Sequence, residues 1–345
     1  MRAAVLAAPG DVRCVQVADP TLKSPHEAIV RVVAAGICGS DLWAFNGIAV
    51  RPAMQPIGHE FVGEVVALGT AVDTLQVGDE VAAPFSWNCG ECVNCANGWT
   101  SSCQNGGFFG RSAGASGAQS EYVRVPHANG TLVVLPKGTL RSRTNTLNML
   151  LCGDVLATGQ HAVELADVRK EDRCVIIGDG SVGLAAAAMA KRAGASHVTL
   201  VGHHTDRISL SVDADLMINA RTEASWDEEV RRGRPDAVLD CVGTARSTEI
   251  AVSLATDGGR VGVVGVPHGV RTAPVADLFR RNIALRFGIT PARRYLTDLL
   301  SLVLGGGLDA SWLITHEMNL MDVADGYRAM AERRSLKIAL RPYEQ

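Results

Sequence analysis

The pattern of apolar and polar positions changes once along this chain. Up to about residue 136, apolar positions come in short β-branched runs broken by glycine and proline. Residues 3–7, 28–35 and 60–67 read as strands, and 77–81 as a turn into another. From Arg173 onward, apolar runs alternate with helical stretches. Strands are predicted at 174–177, 197–201, 215–219, 235–241 and 260–266, and helices at 182–193 and 206–212. Such alternation predicts an α/β fold with a parallel, doubly wound sheet. Beyond Pro291, residues 295–304 and 321–331 read as helices and 336–340 as a final strand. The expected organisation is a β-rich domain over 1–153, a doubly wound domain over 154–290, and a segment, 291–345, that returns to the first.

Composition narrows the classes. A chain of 345 residues exceeds one comfortable core, and 47% hydrophobic against 20% charged residues describes a globular protein. A formal charge of −3 leaves no basic footprint for nucleic acid and no polybasic patch for a membrane. The most apolar helical stretch, 182–190, is too short to span a bilayer, and residues 3–7 form a strand rather than a signal sequence. Together with reduced thiols, these features lead us to expect a cytoplasmic protein.

Four of the nine cysteines, Cys89, Cys92, Cys95 and Cys103, follow the spacing C-x2-C-x2-C-x7-C. Four thiolates on one short loop suit a tetrahedral structural Zn²⁺. Two disulfides are the alternative, but disulfide scaffolds are small and cysteine-dense, unlike this chain.

Gly178, Gly180 and Gly183 form a G-x-G-x-x-G motif, with Ser181 and Val182 inside it, between a predicted strand and a predicted helix. In that setting the glycines permit a tight turn, close approach of backbone to a pyrophosphate, and helix–strand packing. The helix N-terminus adds free N–H groups for the phosphates. An NAD site places an acid at the end of the next strand, for the ribose 2′-hydroxyl. Gly202 stands there instead, leaving room for a 2′-phosphate, with His203, His204 and Arg207 as candidate partners. NADP(H) is therefore the expected dinucleotide.

Cys38, in Gly-Ile-Cys-Gly-Ser-Asp, and His59, in Gly-His-Glu-Phe-Val-Gly, each stand on a loop beside a strand. A thiolate, an imidazole and a third group leave one position open on a zinc ion, as catalysis requires. Taken in order, the Cys38 segment, the Gly-His-Glu segment, the cysteine lobe at 89–103 and the glycine motif resemble the zinc-containing medium-chain alcohol dehydrogenases along nearly the whole chain.

The resemblance implies a GroES-like catalytic domain beside a Rossmann domain, two zinc ions per chain, and assembly as a homodimer or homotetramer. In that family the third catalytic ligand lies four residues before a Thr-Gly pair. Here the pair is Thr158-Gly159, so Asp154 takes the place; Cys152, two residues away, competes at the wrong offset. Glu60 becomes a neighbour of the metal or an exchangeable ligand. Thr158 and Val182 are implied to back the nicotinamide, and Val264, Gly265, Val266 and residues 285–287, with Leu285 and Phe287, to hold its carboxamide. Lys337 falls where the family keeps a basic residue near the pyrophosphate.

The implied reaction is hydride transfer between the carbinol carbon of an alcohol and nicotinamide, with zinc lowering the pKa of the hydroxyl. Ser40 is implied as the hydroxyl that relays the proton. Many relatives end that relay at a histidine five residues after the cysteine, where this chain has Trp43. Trp43, Phe85, Trp87, Phe108 and Phe109 are candidate walls of a substrate pocket. The leading expectation is an NADP(H)-linked alcohol dehydrogenase or carbonyl reductase. The alternatives are a zinc-free quinone or enone reductase of the same fold and a non-catalytic nucleotide-binding protein.

Overall fold

The computed structural model describes residues 1–112, 116–211, 213–220, 233–267 and 272–343. The chain divides into two compact units, one made of Met1–Asp154 and Pro291–Gln345, the other of Val155–Thr290. Asp154 stays with the first unit rather than opening the second. Its N–H donates to Leu151 O (3.4 Å) and the Gly153 carbonyl accepts from Phe85 N (3.1 Å), so the end of the helix Arg143–Cys152 is tied down there.

The first unit is built on a seven-stranded sheet. Its long strand, Ala28–Ile37, alternates buried and half-buried positions over its first six residues and is buried throughout its last four. That is the burial expected of a strand open on one face at its start and covered on both faces at its end. Antiparallel to it run Glu60–Leu68 on one side and the late strand Ile338–Arg341 on the other. The register sets Gly36 opposite both Glu60 and Ala339. Three neighbouring strands thus carry residues 38, 59–60 and 337 to a common end of the sheet. The helix Val323–Ala331 covers the unit with Val323, Gly326, Tyr327 and Met330 turned inward, the i, i+3, i+4, i+7 stripe of an amphipathic helix.

The second unit holds six parallel strands. Their spatial order is Leu216–Asn219, His197–Gly202, Arg173–Ile177, Ala237–Asp240, Arg260–Val263 and Ala284–Phe287. In chain order this is 3-2-1-4-5-6, the dinucleotide-binding arrangement, with its switch point between the first and fourth strands. The helix Ser181–Arg192 follows the first strand; its alanine-rich run from Gly183 to Ala190 is buried.

Most element bounds move by one to three residues from the sequence reading, and three of the shifts have a visible cause or consequence. The helix expected at 206–212 is the single turn Thr205–Ile208, and residue 212 lies outside the described residues. The strand expected at 260–266 stops at Val263, because Val264 N and Gly265 N turn to donate to Asp240 O (3.0 and 3.1 Å). The helix expected from 295 starts at Ala292, just after Pro291, a residue suited to a helix start. Among the described residues, no helix is long and apolar enough to cross a membrane.

Candidate metal centres and nucleotide site

The cysteine lobe folds around its own sulfurs. A short helix, Val93–Ala96, and a 3₁₀ turn, Thr100–Ser102, bring Cys89, Cys92, Cys95 and Cys103 together, with all four Sγ atoms within 4.8 Å of one another. Cys92 Sγ lies 3.8 Å and Cys89 Sγ 3.5 Å from Cys103 Sγ. A tetrahedron with metal–sulfur bonds of about 2.3 Å has sulfurs about 3.8 Å apart, so the lobe fits Zn²⁺. All nine cysteines are free thiols, which removes the disulfide alternative. Backbone N–H groups of Cys89 and Cys92 point at Cys103 Sγ (3.2 Å) and Cys89 Sγ (3.4 Å). Backbone donors lower the thiols of Cys92, to about 6, and Cys89, while burial pushes those of Cys95 and Cys103 up.

A second group of donors forms at that end of the strands. Cys38, His59, Glu60 and Asp154 offer ligand atoms that all lie within 4.8 Å of one another. His59 Nε2 faces them, 3.2 Å from Asp154 Oδ2 and 4.0 Å from Glu60 Oε1. Burial opposes ionisation of Asp154, yet His59 beside it drives its carboxyl far below the usual range. Glu60, pushed up by burial and only partly offset by Lys337, rises to about 7. Its Oε2 is buried with no hydrogen-bond partner, an orphaned acceptor beside three other donors. Thiolate, imidazole and carboxylates in this arrangement fit a mixed-ligand zinc. Cys152 is fully buried, and burial pushes its thiol up, as expected of packing rather than ligation.

Three side chains that complete this site were not assigned from the sequence. Asp41 Oδ1 lies 3.2 Å from His59 Nδ1, on the ring edge away from the other ligands. Asp41 Oδ2 accepts from Cys38 N (3.1 Å) and from Gln119 Nε2 (3.4 Å). Gln119 in turn donates to Gly36 O (2.9 Å) and accepts from Tyr327 Oη (3.0 Å). Gly-Ser-Asp after the cysteine was the available signal for Asp41; nothing in the sequence marked Gln119 or Tyr327.

Lys337, expected near a pyrophosphate, is 1% exposed, and its Nζ donates to Glu60 Oε1 at 2.5 Å. Burial would strip its charge, but Glu60 holds the ammonium above its usual pKa. Gly36 is required opposite this pair: a Cβ there would sit 1.8 Å from Glu60 Oε2.

Ser40 lies in the 3₁₀ turn Gly39–Asp41, half-buried, and its Oγ accepts from Arg111 Nη2 (2.9 Å). The pocket aromatics divide. Phe85 meets His59 edge-on at 6.3 Å and stacks on Phe108 at 6.0 Å. Trp87 and Phe109 are instead core: they are 4% and 0% exposed, and Trp87 packs against Phe109, which packs against Phe61. Trp43 is half-buried in the turn after the helix start Leu42.

In the second unit, Gly178–Gly183 joins the first strand to its helix, and a Cβ at Gly183 would collide with Gly178 O at 1.8 Å. Asp179 inside this loop was not singled out, and it corrects the reading of Gly202. Its Oδ2 accepts from His203 N (2.6 Å) and His204 N (2.7 Å), and His204 Nδ1 lies 3.0 Å away. A Cβ at Gly202 would fall 2.5 Å from Asp179, so the space beside Gly202 is already filled. Arg207 is only 5% exposed, which corrects its place among the candidate phosphate partners; His203 is exposed. Thr158, Ser181, Val182, Gly265 and Leu285 are half-buried, Val264 is buried, and Val266 and Phe287 are exposed. Asp240, ending the fourth strand, is fully buried and accepts from Val242 N, Gly243 N, Ser247 Oγ and Thr248 Oγ1.

The alcohol dehydrogenase GroES-like domain family matches residues 24–137, and the zinc-binding dehydrogenase family matches 181–304. "Probable zinc-binding alcohol dehydrogenase Rv1895" of Mycobacterium tuberculosis is 35% identical, over 99% of this chain and 89% of its own length. Formaldehyde dismutase of Pseudomonas putida is 29% identical, over 93% of this chain and 91% of its own. Among solved structures, alcohol dehydrogenase TADH from Thermus sp. ATN1 superposes with a TM-score of 0.92 at 32% identity, covering 99% of both chains. With donor sets that suit zinc and a Rossmann strand order behind these likenesses, the chain belongs to the zinc-containing medium-chain alcohol dehydrogenase family.

Proposed function

We propose that this protein is a zinc-dependent, NADP(H)-preferring alcohol dehydrogenase or carbonyl reductase. The observation that carries the reading is the convergence of Cys38, His59, Glu60 and Asp154 within one buried cluster, separate from the four-cysteine lobe. When bound there, zinc supplies a Lewis acid that lowers the pKa of a substrate hydroxyl and polarises a carbonyl. A nicotinamide supplies or accepts the hydride.

The chain's own residues then have distinct tasks. Cys38, His59 and Asp154 would hold the catalytic ion, and Cys89, Cys92, Cys95 and Cys103 the structural one. Asp41, at His59 Nδ1, keeps Nε2 free for the metal. Lys337 holds Glu60 by one oxygen beside the ligands. Ser40 is the hydroxyl we assign to the substrate proton. On the dinucleotide side, Gly178, Gly180 and Gly183 would admit the pyrophosphate to the N-terminus of the helix Ser181–Arg192. Thr158, Val182, Val264, Gly265, Val266, Leu285 and Phe287 are proposed to contact the nicotinamide end.

The NADP(H) preference rests on the glycine, in place of an acid, that ends the second strand and on the exposed His203, and no longer on open space beside Gly202, which Asp179 fills. Asp179 has its Oδ2 engaged by two amides and lies beside His204, so its nearer role is to hold the loop after the second strand. A cytoplasmic homodimer or homotetramer acting on a small alcohol or carbonyl compound completes the proposal.

Metal analysis and a substrate panel test it together. We expect two zinc ions per chain, and NADP⁺ reduction with at least one class among secondary alcohols, polyols and aldehydes. One zinc and no hydride transfer to or from any of them would overturn the reading. Tighter binding of NADH than of NADPH would overturn the cofactor preference alone.

A further inference from the structure

The proposed proton-handling hydroxyl has an unusual neighbour. Arg111 Nη2 donates to Ser40 Oγ at 2.9 Å and to Ser40 O at 3.3 Å. A guanidinium stays protonated, so Arg111 cannot accept the proton that Ser40 would pass on. It must serve something else. A second guanidinium stands on the same loop: Arg51 Nη1 donates to Gly110 O at 3.0 Å, one residue before Arg111.

Among the described residues, no carboxylate lies within 4.0 Å of either arginine. Asp41 is an acid whose field reaches both; its Oδ2 accepts from Cys38 N and Gln119, and its Oδ1 faces His59 Nδ1 at 3.2 Å. Burial holds the Arg51 guanidinium below its usual pKa, and the Arg111 charge acts in the same direction. Arg111 is exposed and Arg51 half-buried, each anchored to the same short stretch of chain, and an anion placed between them would relieve the repulsion that Arg51 feels from Arg111. Each has donors to spare, since a guanidinium carries five N–H groups in a fork that matches a carboxylate or phosphate.

We propose that Arg111 and Arg51 form an anion subsite beside Ser40, and that the substrate is an alcohol or carbonyl compound bearing a carboxylate or phosphate near the reacting carbon. This rests on the dehydrogenase reading above. The short reach from Arg111 to Ser40 Oγ sets the spacing: the anionic group stands one or two carbons from the carbinol, as in a hydroxy acid or a phosphorylated polyol. Ser40 meets the reacting oxygen, and the two guanidinia meet the charge.

Two measurements test it. The zinc-loaded enzyme is assayed with 3-hydroxybutyrate against 2-butanol, and with glycerol 3-phosphate against 1,2-propanediol. The expected result is that one anionic member exceeds its neutral counterpart at least tenfold in kcat/KM. The preference should fall with added salt and collapse in Arg111→Gln and in Arg51→Gln, chiefly through KM. Arg111→Lys should recover part of it. Which pair shows the effect separates carboxylate from phosphate recognition. Equal or better turnover of both neutral compounds, or a preference that survives both variants, overturns the subsite and leaves the dehydrogenase standing. Separately, tartronate and inorganic phosphate are titrated into the protein by calorimetry. At least one should bind, and tenfold more weakly in either variant. No binding, or binding that the variants do not weaken, overturns the subsite whatever the enzyme turns over.

Discussion

Asp41 Oδ1 meets His59 Nδ1 at 3.2 Å, on the opposite side of the imidazole from Asp154. A carboxylate at that distance from Nδ1 leaves Nε2 as the atom that faces the other ligands. Partners of this kind are worth about 10- to 100-fold in metal affinity. Asp41→Asn should weaken zinc at the mixed-ligand centre by that much, while the zinc of the cysteine lobe stays in place. Competition against a chromophoric chelator reads both ions; two unchanged affinities would show that Asp41 does not orient His59.

The Lys337–Glu60 pair lies wholly inside the first unit, each side chain 1% exposed. Removing one member of such a pair leaves an uncompensated buried charge, which costs about 3–5 kcal/mol. Lys337→Met should lower stability by that order in denaturant unfolding. Lys337→Met combined with Glu60→Gln should recover much of the loss, because no lone charge remains. If the double variant is as unstable as the single, the loss comes from packing of the lysine stem.

Asp154 and Cys152 make contrasting predictions. Asp154→Ala should remove the mixed-ligand zinc and with it turnover. Cys152→Ala should keep both zinc ions and lose only the stability of a small core deletion, about 1 kcal/mol. An Asp154→Ala protein that retains metal and activity would move the third ligand elsewhere.

Ser40→Ala removes the hydroxyl assigned to the substrate proton, a loss of about two orders of magnitude in turnover. Zinc content and dinucleotide binding should not follow it. Turnover at the unaltered level would take Ser40 out of the proton path.

Burial pushes the Asp179 carboxyl up, but the His204 amide and ring and the His203 amide outweigh it and leave the group below its usual range. The unfolded carboxyl then takes up its proton at higher pH than the folded one. Its stabilising contribution is complete above about pH 4 and is lost as pH falls through the lower folded value. Asp179→Asn should lose about 1–2 kcal/mol at neutral pH and show a shallower acid dependence of stability. Parallel acid-unfolding profiles would contradict this account.

What the sequence disclosed followed from how locally each feature is written. The four-cysteine lobe spans one short loop, and the glycine motif sits between one strand and one helix, so spacing alone exposed both. The parallel sheet was readable because its four central strands are buried and appear as apolar runs, whereas the edge strand Ala284–Phe287 is mostly exposed and was not read as a strand. Asp41, Lys337 and Gln119 were harder, because their roles arise from long-range pairing: strand register places Lys337 on Glu60, and Gln119 reaches Asp41 across 78 positions of chain. Asp179 was hidden inside a motif whose glycines drew attention to the backbone. The opposite error came with Trp87 and Phe109, whose composition suggests a pocket and whose burial makes them core.

The sheet pairing of Ile338–Arg341 with Ala28–Ile37 also sets an order of assembly during synthesis. Residues 155–290 are contiguous and can fold as soon as they leave the ribosome. The metal-binding unit must wait for a strand made some three hundred residues after its partner. Until that strand arrives, Glu60 has no ammonium beside it and the sheet keeps an open edge. The nascent chain thus passes through an interval in which the Rossmann unit is complete while the zinc-binding unit is unfinished and prone to pair with other strands.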